Sequence, residues 1–153
     1  MNRIRDGEDY VLSDLSLKGA HELNKLIEIS KNIHYFSYAA NGCTGERHKS
    51  KNMNFPLLKI FSHVLVKLPL PADDFGLTFD ESWRANDGLV NTNSAKAPMY
   101  NASKDFDENN ITKGIWNIMP VYEGDHMSLQ GGMTKNNDVR LLYAEHLEMI
   151  NML

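Results

Sequence analysis

Asp87 lies in the polar turn of "ESWRANDGLVNTNSAKAP", between a short Trp-bearing amphipathic segment and the apolar pair Leu89-Val90. His126 lies in "EGDHMSLQGG", behind the apolar stretch "GIWNIMPVY". A carboxylate and an imidazole are the side chains proteins use most to orient and move protons near neutral pH, so each is a candidate catalytic group. Each also has a bland reading. Asp before Gly is favoured for turn geometry alone, and one histidine among six, in a polar loop, is ordinarily a solvated one. Residue type and spacing leave both readings open.

The elements that must carry these loops follow an α/β cadence. Ser16 is a candidate N-cap for a surface helix in which Leu17, Ala20, Leu23 and Leu26-Ile27 share a stripe at helical spacing. "NIHYFSYAA" is rich in aromatic and β-favouring residues and stops at the turn Asn41, Gly42 and Gly45, so it predicts a strand. Residues 46–76 lack clean periodicity between Pro56 and the pair Pro69 and Pro71, which predicts a loop with one short element. "TFDESWRA" predicts a turn or two of helix capped by Thr78 or Asp80. Residues 98–113 are a polar excursion, and "GIWNIMPVY" predicts a second strand. A last helix places Val139, Leu142, Tyr143, Leu147 and Ile150 on one face behind Asn137 or Asp138. Chemistry in open α/β sheets gathers at the carboxyl ends of strands, and the loops of Asp87 and His126 are expected at two such ends.

Composition narrows the classes. A chain of 153 residues with 42% hydrophobic and 24% charged residues predicts one globular domain over residues 1–153. Its net charge is -4, with basic residues scattered, so the electrostatic footprint of a nucleic-acid binder is missing. The longest apolar run, "VLVKLPLP", is broken by Lys67 and two prolines, which excludes it as a membrane span. The start, "MNRIRDGEDYVLSDLS", lacks the apolar core of a secretory signal, so the chain as written is expected in the cytoplasm or in an undecided compartment, its single cysteine fitting a cytosolic protein and a secreted bacterial enzyme alike. The single Cys43 excludes an internal disulfide.

"DLSLKGAHELN", "NIHYFSYAANGCTGE", "WRANDGLVNTNSAKAP", "KGIWNIMP" and "GDHMSLQGG", in this order, resemble the C-terminal half of the secreted staphylococcal and bacillus-type triacylglycerol lipases. The likeness covers most of the chain and is weakest over residues 48–76 and beyond Gly132. It implies the C-terminal part of an α/β-hydrolase sheet, a few mostly parallel strands with flanking helices, incomplete without an N-terminal half. It further implies a Ser-Asp-His triad in that chain order. Asp87 falls on the triad acid and His126 on the triad histidine; the acid would fix the imidazole's tautomer and stabilise the imidazolium. A GxSxG elbow needs two glycines four apart, and none of the ten glycines has such a neighbour. The resemblance therefore implies a chain that begins in mid-domain, with the nucleophile, the lid and part of the oxyanion hole in a partner half.

The same resemblance puts Asp125 where relatives ligate calcium. Their second acid, two residues after the histidine, is Ser128 here, so the oxygen set is depleted even with Glu123, and a solvated acid is the competing reading. Cys43 precedes Asp87 and His126 in the order of a Cys-Asp-His triad, but Asn41 stands where a glycine is expected, and a lone cysteine is more often inert. Trp83 and Trp116 are expected as packing anchors, and His21, His34, His48, His63 and His146 show no metal-box spacing. Two functions compete: the C-terminal portion of a triacylglycerol lipase or other carboxylester hydrolase, acting on ester lipid with its N-terminal half, or a non-catalytic remnant or interaction module.

Overall fold

A computed structural model describes residues 16–44, 53–131 and 138–153. Gly45, His48 and Asn137, named above, lie outside the described residues. The chain divides into two compact units, one from residues 1–37 and 97–118, the other from residues 38–96 and 119–153.

The first unit is α/β. Helix α1, Leu17–Leu26, starts as expected at Ser16, whose hydroxyl accepts from Gly19 N at 3.0 Å. Its inward residue is His21 rather than the leucine stripe: Leu23, Leu26 and Ile27 are exposed. The His21 ring meets the Tyr100 ring edge-on at 5.4 Å and its Nδ1 hydrogen-bonds the phenol. Strands β1 (Tyr35–Ser37), β2 (Ser103–Asp105) and β3 (Trp116–Ile118) form a parallel sheet in the order β1-β3-β2. β1 and β3 lie inside the two predicted strands. β2 corrects the expectation of a polar excursion: "SKD" has no apolar alternation because two of its three side chains are exposed at the sheet edge. Asn117, fully buried on β3, donates to Tyr35 O at 3.0 Å and to Thr112 O at 3.0 Å and accepts from Thr112 N at 3.2 Å. Trp116 packs on Tyr35 with ring centroids 5.3 Å apart, the anchoring role expected of it.

The second unit carries helix α2, Pro56–Lys67, where only a short element was expected. Pro56 supplies the fixed φ of a first helical turn. The periodicity is obscured because the helix is apolar on two sides: Leu58, Ser62 and Val66 are buried, while Leu57, Ile60, Phe61 and Val64 are exposed. Its last carbonyls are held by Arg84, whose Nη1 donates to Val66 O at 2.6 Å and Leu68 O at 3.1 Å. A cation there also meets the negative end of the helix dipole. Arg84 belongs to a short 3-10 helix, Glu81–Arg84, whose cap is Asp80, its Oδ1 accepting from Ser82 N at 2.9 Å. The Ser82 hydroxyl first, and that backbone bond after it, hold the Asp80 carboxyl below its ordinary pKa. Trp83 packs against Phe79 with ring centroids 4.7 Å apart and the rings tilted at 59°. A second 3-10 turn, Ser128–Gln130, precedes helix α3, Asp138–Asn151. α3 turns Val139, Leu142, His146 and Met149 inward; Tyr143, Leu147 and Ile150, expected on the same face as Val139 and Leu142, are exposed.

Candidate active site

Residues 39–43 are the scaffold on which the two chemical loops meet. Asn41 N donates to Tyr122 O at 2.8 Å, Tyr122 N to Ala39 O at 2.8 Å, and Gly124 N to Asn41 O at 3.2 Å, which seats the chain entering the His126 loop. Gly42 N and Cys43 N both donate to Asn86 O, at 3.0 and 2.9 Å, and Asn86 N returns to Cys43 O at 3.0 Å. One short segment thus bonds the residue before Asp87 and the residues before His126. Cys43 is fully buried in this strut, which removes the exposure a nucleophile needs.

The Asp87 loop is built from side chains rather than from a strand ladder. Asn86 forms only isolated bridges, with Cys43 and with Asn91, so the strand end expected before Asp87 is a single bridged residue. Asn86 is 2% exposed; its Oδ1 accepts from Gly88 N at 3.0 Å, and its Nδ2 donates to Arg84 O at 2.9 Å. Gly88 is required twice over. Its φ is +99°, and a Cβ would come within 2.8 Å of both Leu58 Cβ and Leu58 O.

Asp87, 5% exposed, spends its two oxygens differently. Oδ1 accepts from Leu89 N at 2.9 Å and Val90 N at 2.8 Å, which closes the turn. Oδ2 faces His126 Nδ1 at 2.8 Å. The backbones are tied as well, His126 N donating to Asp87 O at 2.9 Å. One residue therefore closes the turn and faces the imidazole. An ionised carboxylate only accepts, so Nδ1 carries the hydrogen of that contact and Nε2 is left with its lone pair in a neutral ring. The imidazole side chain is 34% exposed, and among the described residues Nε2 has no partner. A nitrogen base oriented by a buried acid and open on its far side can take a proton from a group placed against it.

Asp125, fully buried, points away from such chemistry. Its Oδ2 accepts from Asn54 N at 2.7 Å and Phe55 N at 2.9 Å. Its Oδ1 accepts from Met127 N at 3.1 Å and Ser128 Oγ at 3.0 Å, and the Ser128 hydroxyl in turn accepts from Asp125 N at 3.1 Å. Calcium does not fit this donor set. The hydrogens of four donors occupy the directions a cation would use, and calcium asks for about six to eight oxygens. Among the described residues no group of three or more His, Cys, Asp or Glu could hold a metal ion. The solvated-acid alternative fails too, since Asp125 is fully buried.

Sequence reasoning passed over Asn86, met Ser128 only as a missing calcium acid, and did not see residues 39–43 as a strut. The first two left a trace: an amide one residue ahead of the turn acid, and a hydroxyl three residues after Asp125, the spacing at which such side chains satisfy local backbone.

Residues 1–147 match the family described as lipase-like, C-terminal domain. The chain is 32% identical over 150 residues to a lipase of Staphylococcus hyicus, covering 95% of this chain and 22% of that protein. Lipase 1 of Staphylococcus aureus is 31% identical over 126 residues, covering 81% of this chain and 17% of that protein. The crystal structure of Staphylococcus hyicus lipase superposes with a TM-score of 0.77 at 24% identity, covering 96% of this chain and 38% of that one, so the fold is shared. The chain thus spans about a fifth of the length of these curated relatives. On the span of the family match and the strength of these likenesses, this chain belongs to the lipase-like, C-terminal domain family.

Proposed function

We propose that this chain supplies the acid and the base of an ester-cleaving Ser-Asp-His triad, Asp87 and His126, to a lipase whose serine lies outside residues 1–153. The observation that carries it is the 2.8 Å contact between Asp87 Oδ2 and His126 Nδ1, made by a buried acid. The order acid then histidine is that of α/β-hydrolases. In the assembled enzyme a serine hydroxyl would sit against His126 Nε2. The imidazole would take its proton as the oxygen attacks the ester carbonyl and return it to the departing alcohol. Asp87 would hold the ring's orientation and stabilise the imidazolium between those steps. Backbone N–H groups of the partner half would bind the oxyanion. Triacylglycerols and shorter carboxylic esters are the substrate class, and no metal enters at Asp125.

The partner half is supported by the apolar residues left at the surface: Leu57, Ile60, Phe61, Val64 and Leu68 along and just beyond α2, and Leu147, Ile150, Met152 and Leu153 at the end of α3. Surfaces of this kind on a soluble protein mark contacts with another polypeptide or an apolar ligand.

The test is reconstitution with the serine-bearing portion of a staphylococcal lipase, followed by p-nitrophenyl ester hydrolysis. Activity is expected only from the mixture, and in this chain D87N should lower kcat by about 10⁴-fold and H126Q by about 10⁶-fold. No activity from a stable mixture would favour the non-catalytic remnant. Hydrolysis by the mixture that survives both substitutions would refute the assignment.

A further inference from the structure

We propose that Asp125 is the positioning residue of His126, a buried carboxylate that locks the histidine's loop to the entry of α2 without a metal ion; this deepens the triad reading and rests on it. Asp125 is 0% exposed, and among the described residues it pairs with no cation. A carboxylate in that setting keeps its charge only if hydrogen-bond donors replace its lost water, and four do. They come from two directions. Met127 N and Ser128 Oγ, on Oδ1, fold residues 125–128 into a turn closed further by Ser128 N on Asp125 O at 2.9 Å. Asn54 N and Phe55 N, on Oδ2, fasten that turn to chain 70 or more residues upstream.

His126 lies inside the turn, and its only other described bonds run to Asp87: N to O at 2.9 Å and Nδ1 to Oδ2 at 2.8 Å. The ring is one-third exposed, so packing alone does not fix its direction; the Asp87 bond and the backbone beneath the ring must do so together. Gly124 shows how closely that backbone is held: a Cβ there would lie 2.7 Å from Ser128 Cβ. The entry of α2 has a matching vacancy. Phe55 caps the helix without a side-chain hydrogen bond, and the first turn holds no acidic residue, so Asp125 brings the missing negative charge from another part of the chain.

The test reads His126 directly, in this chain by itself. In the ¹⁵N-labelled protein the Nδ1 proton bonded to Asp87 is expected to exchange slowly with solvent. D125N, which puts an NH₂ group against two of the four donors, should speed that exchange at least about tenfold, the response to losing a buried hydrogen bond. Backbone amides of β1–β3 should keep their rates, and added calcium or EDTA should leave the Nδ1 proton unchanged. S128A, which removes one donor and spares the Asn54 and Phe55 bonds, should give a smaller acceleration; if D125N fails to fold, S128A decides by the same comparison. In the reconstituted enzyme D125N should lower kcat and leave KM. Three results overturn the proposal: wild-type exchange in the variants, equal acceleration of all amides, or an Nδ1 proton that calcium slows. Because exchange needs no serine half, absence of ester hydrolysis would count against the triad reading and not against this one.

Discussion

One carboxylate with two duties explains why Asp87 reads from sequence as an ordinary turn residue. Oδ1 closes the turn on Leu89 N and Val90 N, and Oδ2 orients His126. The two duties separate by substitution. D87A strips both, leaving two backbone donors without their acceptor, and should cost about 1–2 kcal/mol of stability in urea unfolding. D87N keeps an amide oxygen for the turn and should cost less, while its effect on catalysis in the reconstituted enzyme should match that of D87A. Equal destabilisation by both would mean that Oδ2, not Oδ1, holds the loop. Residues 87 and 126 were legible as candidates from their types, and as a pair only through the family resemblance. Asn86 and Ser128 were not, because small polar residues fill turns everywhere and show their value only when burial is known.

At the scale of elements, α3 carries a titratable clasp. His146 Nδ1 and the Tyr38 hydroxyl lie 2.9 Å apart, with the rings edge-on at 5.4 Å. Burial holds the His146 pKa below its ordinary value; burial, then the neighbouring Tyr143 and Glu145, pushes Tyr38 up. A depressed histidine pKa means that the folded state binds fewer protons than the unfolded chain, so acid favours unfolding. The contribution is whole above about pH 6.5 and is lost as pH falls from there through the folded-state pKa. Melting temperature followed from about pH 8 to about pH 5 should therefore fall more steeply in the wild type than in H146Q, which has nothing to titrate there. Parallel curves would mean that the clasp makes no contribution. The helices α1 and α3 were legible from their periodicity, yet the faces were not: Leu23, Leu26, Leu147 and Ile150 are outside. α2 was missed as a full helix for the same reason. Periodicity reports that a face is apolar, not which neighbour covers it, and a helix apolar on two sides has no period to read.

At the scale of the molecule, the apolar residues of α2 predict behaviour in solution. Ile60 and Val64 stand one helical turn apart and are more than half exposed, so charged residues at these sites should leave the fold intact while changing what the surface attracts. By sedimentation velocity the wild type should self-associate and bind a hydrophobic dye, and I60K/V64E should shift toward monomer with less dye bound. A wild type that is monomeric at all concentrations and dark to the dye would remove this support for a partner half.

From the amino-acid sequence came the α/β cadence, two of the three described strands, the cap at Ser16, and Asp87 and His126 as candidate groups. These depend on local preference and on side-chain chemistry, which are properties of residue type and spacing. The tertiary structure alone decided that residues 39–43 draw the two loops together, that Asp125 binds four protein donors in place of a cation, and that Cys43 is a strut. Apart from Met127 and Ser128 on Asp125, those are contacts between groups far apart along the chain, and no local pattern encodes which distant donor a buried acceptor will find.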